Sequence, residues 1–126
     1  MIDFQNGVFA KLGPSDPAPI AAELAPILVD GERVHLSFKG IRDSVVFTNK
    51  RLIAINVQGL TGKKRDYSSL PYSKIQAWSV QTAGLLTFIS DSQLELWFAG
   101  LGKVHFEFNG KFDIKAFNKL LGNYAL

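Results

Sequence analysis

Two groups of basic side chains are the residues of this sequence whose types and spacing best suit binding chemistry. Lys63, Lys64 and Arg65 follow a glycine-rich run at 59–62, and Lys39 and Arg42 flank a short turn. Backbone N–H groups in glycine-rich turns can form a concave anion site, which nearby cations would reinforce. The run lacks the Lys-Ser/Thr ending and the following helix of a P-loop, so nucleotide hydrolysis is not supported. The alternative is that both groups are simply solvated surface.

Side chains that could carry catalysis or bind a metal are present but do not form a recognisable set. His35 and His105 fall on the polar faces of alternating runs, where they could form a metal pair or a pH switch if their strands were neighbours. Two imidazoles without a third close ligand make a poor metal site. No carboxylate pair has a spacing that indicates acid–base work, and Ser68, Ser69 and Ser73 have no base nearby in sequence. We therefore expect no enzyme activity, no metal and no cofactor.

Composition sets the broad class of the protein. The 126 residues suit one domain, and an apolar share of 47% is enough to form a core. The absence of cysteine excludes a disulfide framework and a thiolate site. No apolar stretch approaches the ~20 residues of a membrane span, and the start shows no basic-then-apolar signal pattern. The expected location is the cytoplasm.

The net charge of +3 is unevenly distributed along the chain. Residues 1–32 hold one base and five acids, a net charge of −4, whereas residues 33–126 hold thirteen bases and six acids, a net charge of +7. This asymmetry can indicate an anionic partner for the second part. It can equally arise because an acidic N-terminal segment packs near a basic body. We expect no nucleic-acid partner, and membrane contact that is at most peripheral.

The N-terminal thirty residues are expected to form a loose leader followed by a helix. Glycines and a proline break residues 1–14, where at most one short turn is expected. Asp16 can cap a helix that starts at Pro17, and Pro26 should kink or end it. The residues of this helix that would share one apolar face are Ile20, Leu24, Ile27 and Leu28.

The central stretch 43–57 predicts a β-hairpin. Its two halves are rich in Val and Ile, which favour strands, and the polar connection at 48–50 suits a tight turn. Similar alternating runs predict strands at 33–39, 66–70, 74–82, 93–99 and 103–109, whereas 85–89 could be a strand or a packed connection. A last helix is predicted after Asp113, with an apolar stripe formed by Ile114, Phe117, Leu120, Leu121 and Tyr124.

The predicted order of elements is a helix, about seven antiparallel strands and a second helix. Strands joined by short turns form a meander, and a meander of this length must curl into a barrel or split into two packed sheets. The last helix would cover an open end of that β structure, because its apolar stripe needs burial. The fold class is therefore mainly β.

Several short runs together resemble the bacterial pleckstrin-homology (PH) domain family. They are KGIRD at 39–43, FTNKRLI at 47–53, GLTGKK at 59–64, YSSLPYSKI at 67–75, TAG at 82–84 and QLELW at 93–97. The resemblance implies a PH-like antiparallel barrel or sandwich of four plus three strands, with a C-terminal capping helix and an extra N-terminal helix. It divides one globular unit into a leader and helix at 1–30 and a PH-like domain at 31–126. Family members are small bacterial proteins of largely unassigned role with a tendency toward ring-like homo-oligomers.

The function that follows from the residues and the resemblance together is self-assembly. We expect a non-catalytic PH-like scaffold or interaction module that forms a closed ring, with another protein as a further candidate partner. Trp97 falls on the face opposite Leu94 and Leu96, where it could be covered surface or an interface anchor. The apolar stripe formed by Ile20, Leu24 and Leu28 could also find its partner on another chain.

The alternative function is weak binding of an anionic lipid headgroup or membrane surface. It would use the basic turns, namely Lys39, Arg42, Lys63, Lys64 and Arg65. Lys50 and Arg51 on the neighbouring hairpin invite the same interpretation. The turn at 40–42 is too short to wrap an inositol phosphate, so specific phosphoinositide binding is not expected.

Overall fold

The computed structural model describes residues 2–4, 9–82, 92–110 and 113–126. The elements follow in the order β1 (Phe9–Ser15), α1 (Pro17–Leu24), β2 (Val34–Lys39), β3 (Asp43–Thr48), β4 (Arg51–Gln58), β5 (Lys64–Pro71), a 3-10 turn (Tyr72–Lys74), β6 (Ile75–Gln81), β7 (Ser92–Phe98), β8 (Gly102–Phe108) and α2 (Ile114–Ala125). The mainly β fold with a C-terminal helix is thus confirmed, and the seven predicted strands are present within two residues of their expected bounds. The ambiguous run at 85–89 lies outside the described residues.

The strands form one sheet in the order β5-β4-β3-β2-β1-β8-β7-β6. The four-stranded meander β2–β5 and the three-stranded meander β6–β8 are the expected groups of four and three. Strand β1 joins them, antiparallel to β2 and parallel to β8. In the described part of the chain β5 and β6 are the two edge strands. The sheet is therefore not closed, and the expected barrel is wrong.

Strand β1 replaces much of the loose leader that the sequence predicts. Phe9 lies opposite Phe106 and Leu12 opposite Phe108 on β8, with an irregularity between them. Lys11, in that interval, has a φ of 55°, the left-handed backbone typical of an extra residue in a strand. Phe9 and Leu12 are buried in the main core. The sequence hides this strand because Gly13 and Pro14 fall inside it.

The main core fills the inner face of the sheet, which we define as the face covered by α2. The rings of Phe47 and Phe117 lie 4.7 Å apart edge to face, and those of Phe38 and Phe108 lie 4.6 Å apart. Asp113 caps α2 by accepting a hydrogen bond from the Ala116 N–H at 3.1 Å. The residues of α2 that are buried in this core are Ile114, Phe117 and Leu121. The predicted capping role of this helix is therefore present.

Helix α1 covers the opposite, outer face of strands β2–β5. Asp16 accepts a hydrogen bond from the Ala18 N–H at 3.1 Å, Pro17 is the first helical residue, and the helix ends at Leu24, ahead of Pro26. Leu24 is fully buried in a second apolar cluster with Val46, Ile53 and Ile55, and the half-buried side chains of Ile20, Leu28 and Val34 pack against it. Ile20, Leu24 and Leu28 thus pack on their own chain, and Leu24 has no surface left for a partner, whereas Ile27 lies after the helix and is 42% exposed.

A buried ion pair ties the segment after α1 to the β3–β4 hairpin. The side chain of Glu32 is 0% exposed, and its carboxylate accepts from Arg51 Nε at 2.9 Å and from Thr48 Oγ1 at 2.7 Å. Arg51 also donates to the Ile27 carbonyl at 2.8 Å and to Ser69 Oγ at 2.9 Å. This network explains why threonine and arginine occupy their places in the run FTNKR.

Candidate binding surfaces

The loop end of the sheet is formed by the β2–β3 loop (40–42) and the β4–β5 loop (59–63). Strands β2 and β4 run in one direction and β3 and β5 in the other, so the β2–β3 and β4–β5 loops lie at the same end of the sheet. Gly59 and Gly62 have φ values of 82° and 67°, which allow the tight β4–β5 connection. The side chains at the tips of the two loops, Ile41 and Leu60, are fully exposed, at 100% and 104%.

The five basic residues singled out in the sequence are placed on or beside this loop end, but they differ in their surroundings. Lys39, Arg42, Lys63 and Lys64 are exposed. Arg42 makes a long contact from its guanidinium to the Gly59 carbonyl at 3.5 Å, which joins the two loops. All four are exposed cations on or next to the two loops whose tips are apolar.

Arg65 has a structural partner. Its guanidinium lies 3.1 Å from Glu23 Oε2 on α1, and Tyr67 Oη donates to the same carboxylate oxygen at 2.8 Å. Burial together with the adjacent Glu23 carboxylate raises the pKa of Tyr67. This triad fastens α1 to β5, so Arg65 is less free to bind an external anion than its neighbours on the sequence.

A cleft lies between α1 and the β2–β3 hairpin, and we call it the α1 cleft. Its volume is about 570 Å³. The lining brings together Lys39, Arg42 and Arg65 from the predicted basic set, whereas Lys63 and Lys64 lie outside it. The sequence does not predict this cleft, because its second wall is a helix whose position over the sheet cannot be derived from the sequence pattern.

Arg51 is not available as a lipid ligand, contrary to the interpretation suggested by its place next to Lys50. Its donors are engaged by Glu32, Ser69 and the Ile27 carbonyl. Burial raises the pKa of Glu32, but hydrogen bonds from Arg51, the Val29 N–H and Thr48, with the charge of Arg51, lower it below its ordinary value overall. The carboxylate is therefore held in its charged form by the pair, and Arg51 serves the fold.

The two histidines are not brought together as a metal pair. His35 is the extra residue of an irregularity on β2, and its Nε2 lies 3.1 Å from Tyr124 Oη on α2. Burial, and to a lesser extent the charge of Arg33, lowers the pKa of His35 and favours the neutral ring. His105 lies on β8, with its Nδ1 3.6 Å from Glu95 Oε1, and β1 separates these two strands. Within the described residues, no group of three potential metal ligands is present.

The outer face of β6–β8 carries Trp97. Glu95 and Trp97 alternate with the buried side chains of β7, as the sequence predicts, and Trp97 lies between Ala77 on β6 and Lys103 on β8. Glu95 lies 3.5 Å from the Lys103 ammonium and 3.6 Å from His105. The face thus carries charges of both signs, from Glu95, Glu107 and Lys103, around one half-buried indole. Trp78, by contrast, packs against the main core and donates to Asn118 on α2 at 2.8 Å.

Comparison with known proteins places these features in a family context. The model of a family described as "Bacterial PH domain" matches residues 3–125. The uncharacterized protein YjqA of Bacillus subtilis (strain 168) is 44% identical over 97 residues, which cover 77% of this chain and 76% of YjqA. YozO of the same organism is 34% identical over 79 residues, covering 63% of this chain and 65% of YozO.

Solved structures agree with this placement. A DUF1696 family protein with a pleckstrin-homology domain from Shewanella loihica PV-4 has a TM-score of 0.78 and 38% identity, covering 93% of this chain and 99% of its own. A pleckstrin homology domain from Shewanella amazonensis SB2B has a TM-score of 0.66 and 40% identity, covering 96% and 93% of the two chains. No helix in the part of the chain that the structure describes is long and apolar enough to cross a membrane.

Proposed function

Because the chain belongs to the bacterial PH domain family, we propose that it acts in the cytoplasm as a non-catalytic scaffold that assembles with copies of itself. The observation that carries this proposal is the difference between the two halves of the outer face. Helix α1 covers part of the outer face of β2–β5, whereas no helix in the described residues packs on the outer face of β6–β8 around Trp97.

The properties of this uncovered face suit contact with a second copy. A half-buried Trp is a frequent anchor of protein interfaces, and beside it the Glu95 carboxylate lies 3.5 Å from the Lys103 ammonium. The face around Trp97 therefore carries charges of both signs, which limits electrostatic repulsion from another copy. Strand β6, at the margin of the sheet, also offers an unpaired edge in the described part of the chain.

The geometry of such a contact favours a ring. Strands β6 and β5 are at opposite ends of the strand order, so pairing of the β6 edge of one copy with the β5 edge of the next would be head to tail. Head-to-tail contacts close into a ring when the rotation between neighbouring subunits permits it. A closed ring predicts one fixed mass, whereas an open head-to-tail chain would grow with protein concentration.

Size-exclusion chromatography with light scattering tests self-assembly. We expect the wild-type protein to have the mass of two or more chains of 13.9 kDa each. Trp97→Glu should dissociate it, because the substitution removes the aromatic anchor and introduces a charge that must be desolvated in the interface. The control Gln58→Glu, which adds the same charge at the end of β4, should keep the wild-type mass. A wild-type mass of one chain at all concentrations contradicts the proposal, and an assembled Trp97→Glu variant places the interface elsewhere.

A second function, docking on anionic membrane surfaces, is favoured by the loop end. Ile41 and Leu60 project fully from adjacent loops, with Lys39, Arg42, Lys63 and Lys64 exposed around them. Apolar tips can enter the interfacial layer of a bilayer while cations meet anionic headgroups. Each cation near such a surface contributes on the order of 1 kcal/mol.

Vesicle flotation tests this second function. We expect binding to vesicles that contain anionic lipid, and its loss at about 1 M salt, where the screening length is only ~3 Å. Replacing Lys63, Lys64 and Arg65 together with Ala should weaken binding roughly tenfold to a hundredfold and leave the protein folded, since the Arg65–Glu23 pair is a surface pair.

The matched control removes three exposed lysines from elsewhere, Lys74, Lys115 and Lys119. It should retain more binding than the loop-end variant. Equal losses in the two triple variants would show that net charge alone, and not the loop end, drives attraction. Unfolding of the loop-end variant would contradict the surface placement of its three residues.

A further inference from the structure

The α1 cleft has the size and the lining of a site for a small molecule. Its volume of about 570 Å³ falls in the range of pockets that hold drug-sized ligands. One wall is the first half of α1 with Pro19 and Ile20, and the other is the β2–β3 hairpin. The cleft exists because α1 covers only part of the outer face of β2–β5.

The floor of the cleft is the uncovered remainder of that face. By strand alternation with Val46 and Ile55, the side chains of Ser44 and Val57 point to the outer side. Lys39 lies beside Ser44 on β2, and Arg65 beside Val57 on β5. The floor therefore places a hydroxyl and an apolar side chain between two cations.

The lining of the cleft contains three cations and three carboxylates, and two of the carboxylates have side-chain partners of their own. Glu23 is occupied by Arg65 and Tyr67. Asp43 alternates with the inward-facing Val45 and Phe47, and its carboxylate accepts a hydrogen bond from Asn56.

The remaining carboxylate of the cleft is Asp16, which caps α1 through the Ala18 N–H. On the opposite wall, Lys39 has no ion pair within the described residues, and Arg42 has only its long contact to the Gly59 carbonyl. Two cations with spare hydrogen-bond donors thus meet apolar walls, and this is complementary to a molecule with an anionic head and an apolar body.

We propose that the α1 cleft binds a small amphiphilic anion, with a carboxylate or phosphate head held by Lys39 and Arg42 and an apolar body against Pro19, Ile20 and Val57. The ligand is a single dissolved molecule, so this inference is independent of self-assembly. It differs from vesicle docking as well, because Leu60 and Lys63 at the loop end take no part. Ser44 would contribute a hydroxyl beside the head.

Two-dimensional NMR titration of the full chain with octanoate and with octyl phosphate, each below its micelle concentration, tests the proposal. The backbone amide signals of Lys39, Ser44 and Val57 should shift with both probes, whereas that of Lys50 should not. The double variant Lys39→Ala/Arg42→Ala should bind about tenfold more weakly. The matched double Lys50→Ala/Lys74→Ala, which removes two exposed cations outside the cleft, should bind as the wild type does.

A third variant fills the cleft without changing its charge. Ser44→Phe should abolish binding of both amphiphiles while the spectrum keeps its native dispersion. The comparison of the two probes shows whether a carboxylate or a phosphate head is preferred.

Four outcomes would overturn the proposal. The first two are that neither amphiphile produces shifts and that the two double variants bind with equal affinity. The other two are that inorganic phosphate alone produces the same shifts and that 1-octanol binds as tightly as the anions. Equal binding by the Trp97→Glu variant would show that the site works in a single chain and would leave the self-assembly proposal to its own test.

Discussion

Replacement of Arg51 by alanine is expected to lower the free energy of unfolding by about 3–5 kcal/mol, because it leaves a buried carboxylate without its counter-charge. The side chain of Glu32 is 0% exposed, and Arg51 provides two of its hydrogen bonds. The same substitution removes the link from Arg51 to the Ile27 carbonyl. Urea unfolding at fixed protein concentration measures the change, and a loss below about 1 kcal/mol would contradict it.

Two controls separate the ion pair from a general effect of lost charge. Lys50→Ala removes the neighbouring exposed cation and should change stability by at most about 0.5 kcal/mol. Glu32→Leu combined with Arg51→Met removes both charges and should be far less destabilising than Arg51→Ala alone.

The pH dependence of this pair has a defined sign. The pKa of Glu32 is lowered from 4.5 in the folded protein. The stabilisation that the Glu32 carboxylate contributes is therefore present above pH 4.5 and is lost as the pH falls through the folded pKa. Without Arg51 that pKa should rise, because burial is then opposed only by the hydrogen bonds from the Val29 N–H and Thr48. The stability difference between wild type and Arg51→Ala should therefore narrow on acidification, and a constant difference would contradict this account.

Replacement of Phe117 by alanine is expected to cost about 3–5 kcal/mol, the range for a large aromatic side chain removed from a core. Phe117 is 2% exposed, and its ring lies 4.7 Å from that of Phe47 and 6.0 Å from that of Phe108. The loss of these contacts would leave a cavity between α2 and the sheet. Thermal or urea unfolding measures the cost.

The matched control for Phe117 is Lys119→Ala on the exposed side of the same helix. It should change stability by at most about 0.5 kcal/mol, since it alters neither the core nor the cap. If Phe117→Ala were as mild as this control, α2 would not close the core in solution.

The strands and the last helix could be predicted because their patterns are local. Val45 and Phe47 alternate with Val46 on β3, and Phe117 and Leu121 share one face of α2. Once one side of a strand or helix is buried, the repeat of its apolar residues determines which side chains face the core. The exception is β2, where the extra residue His35 turns Val34 to the outer cluster while Leu36 packs on the inner one.

What could not be predicted depends on contacts between residues that are far apart in sequence. Strand β1 contains Gly13 and Pro14, and its partner β8 lies near the other end of the chain. From the sequence alone Arg51 cannot be distinguished from a surface cation, because its partner Glu32 lies 19 residues earlier. The basic residues of the loop end were found from their types, but the α1 cleft required knowing that α1 folds over its own sheet.

The position of β1 has a consequence for how the chain folds. Phe9 pairs with Phe106, so β1 depends for one of its two neighbours on β8, which is synthesised after the other described strands of this sheet. Contacts of such high sequence separation slow folding. At roughly 5–20 residues per second, β1 would wait about 5–20 s for β8 to be synthesised. During that interval β2–β5 can pair through their short loops, while Phe9 and Leu12 remain on an open edge, where a nascent chain is most exposed to aggregation.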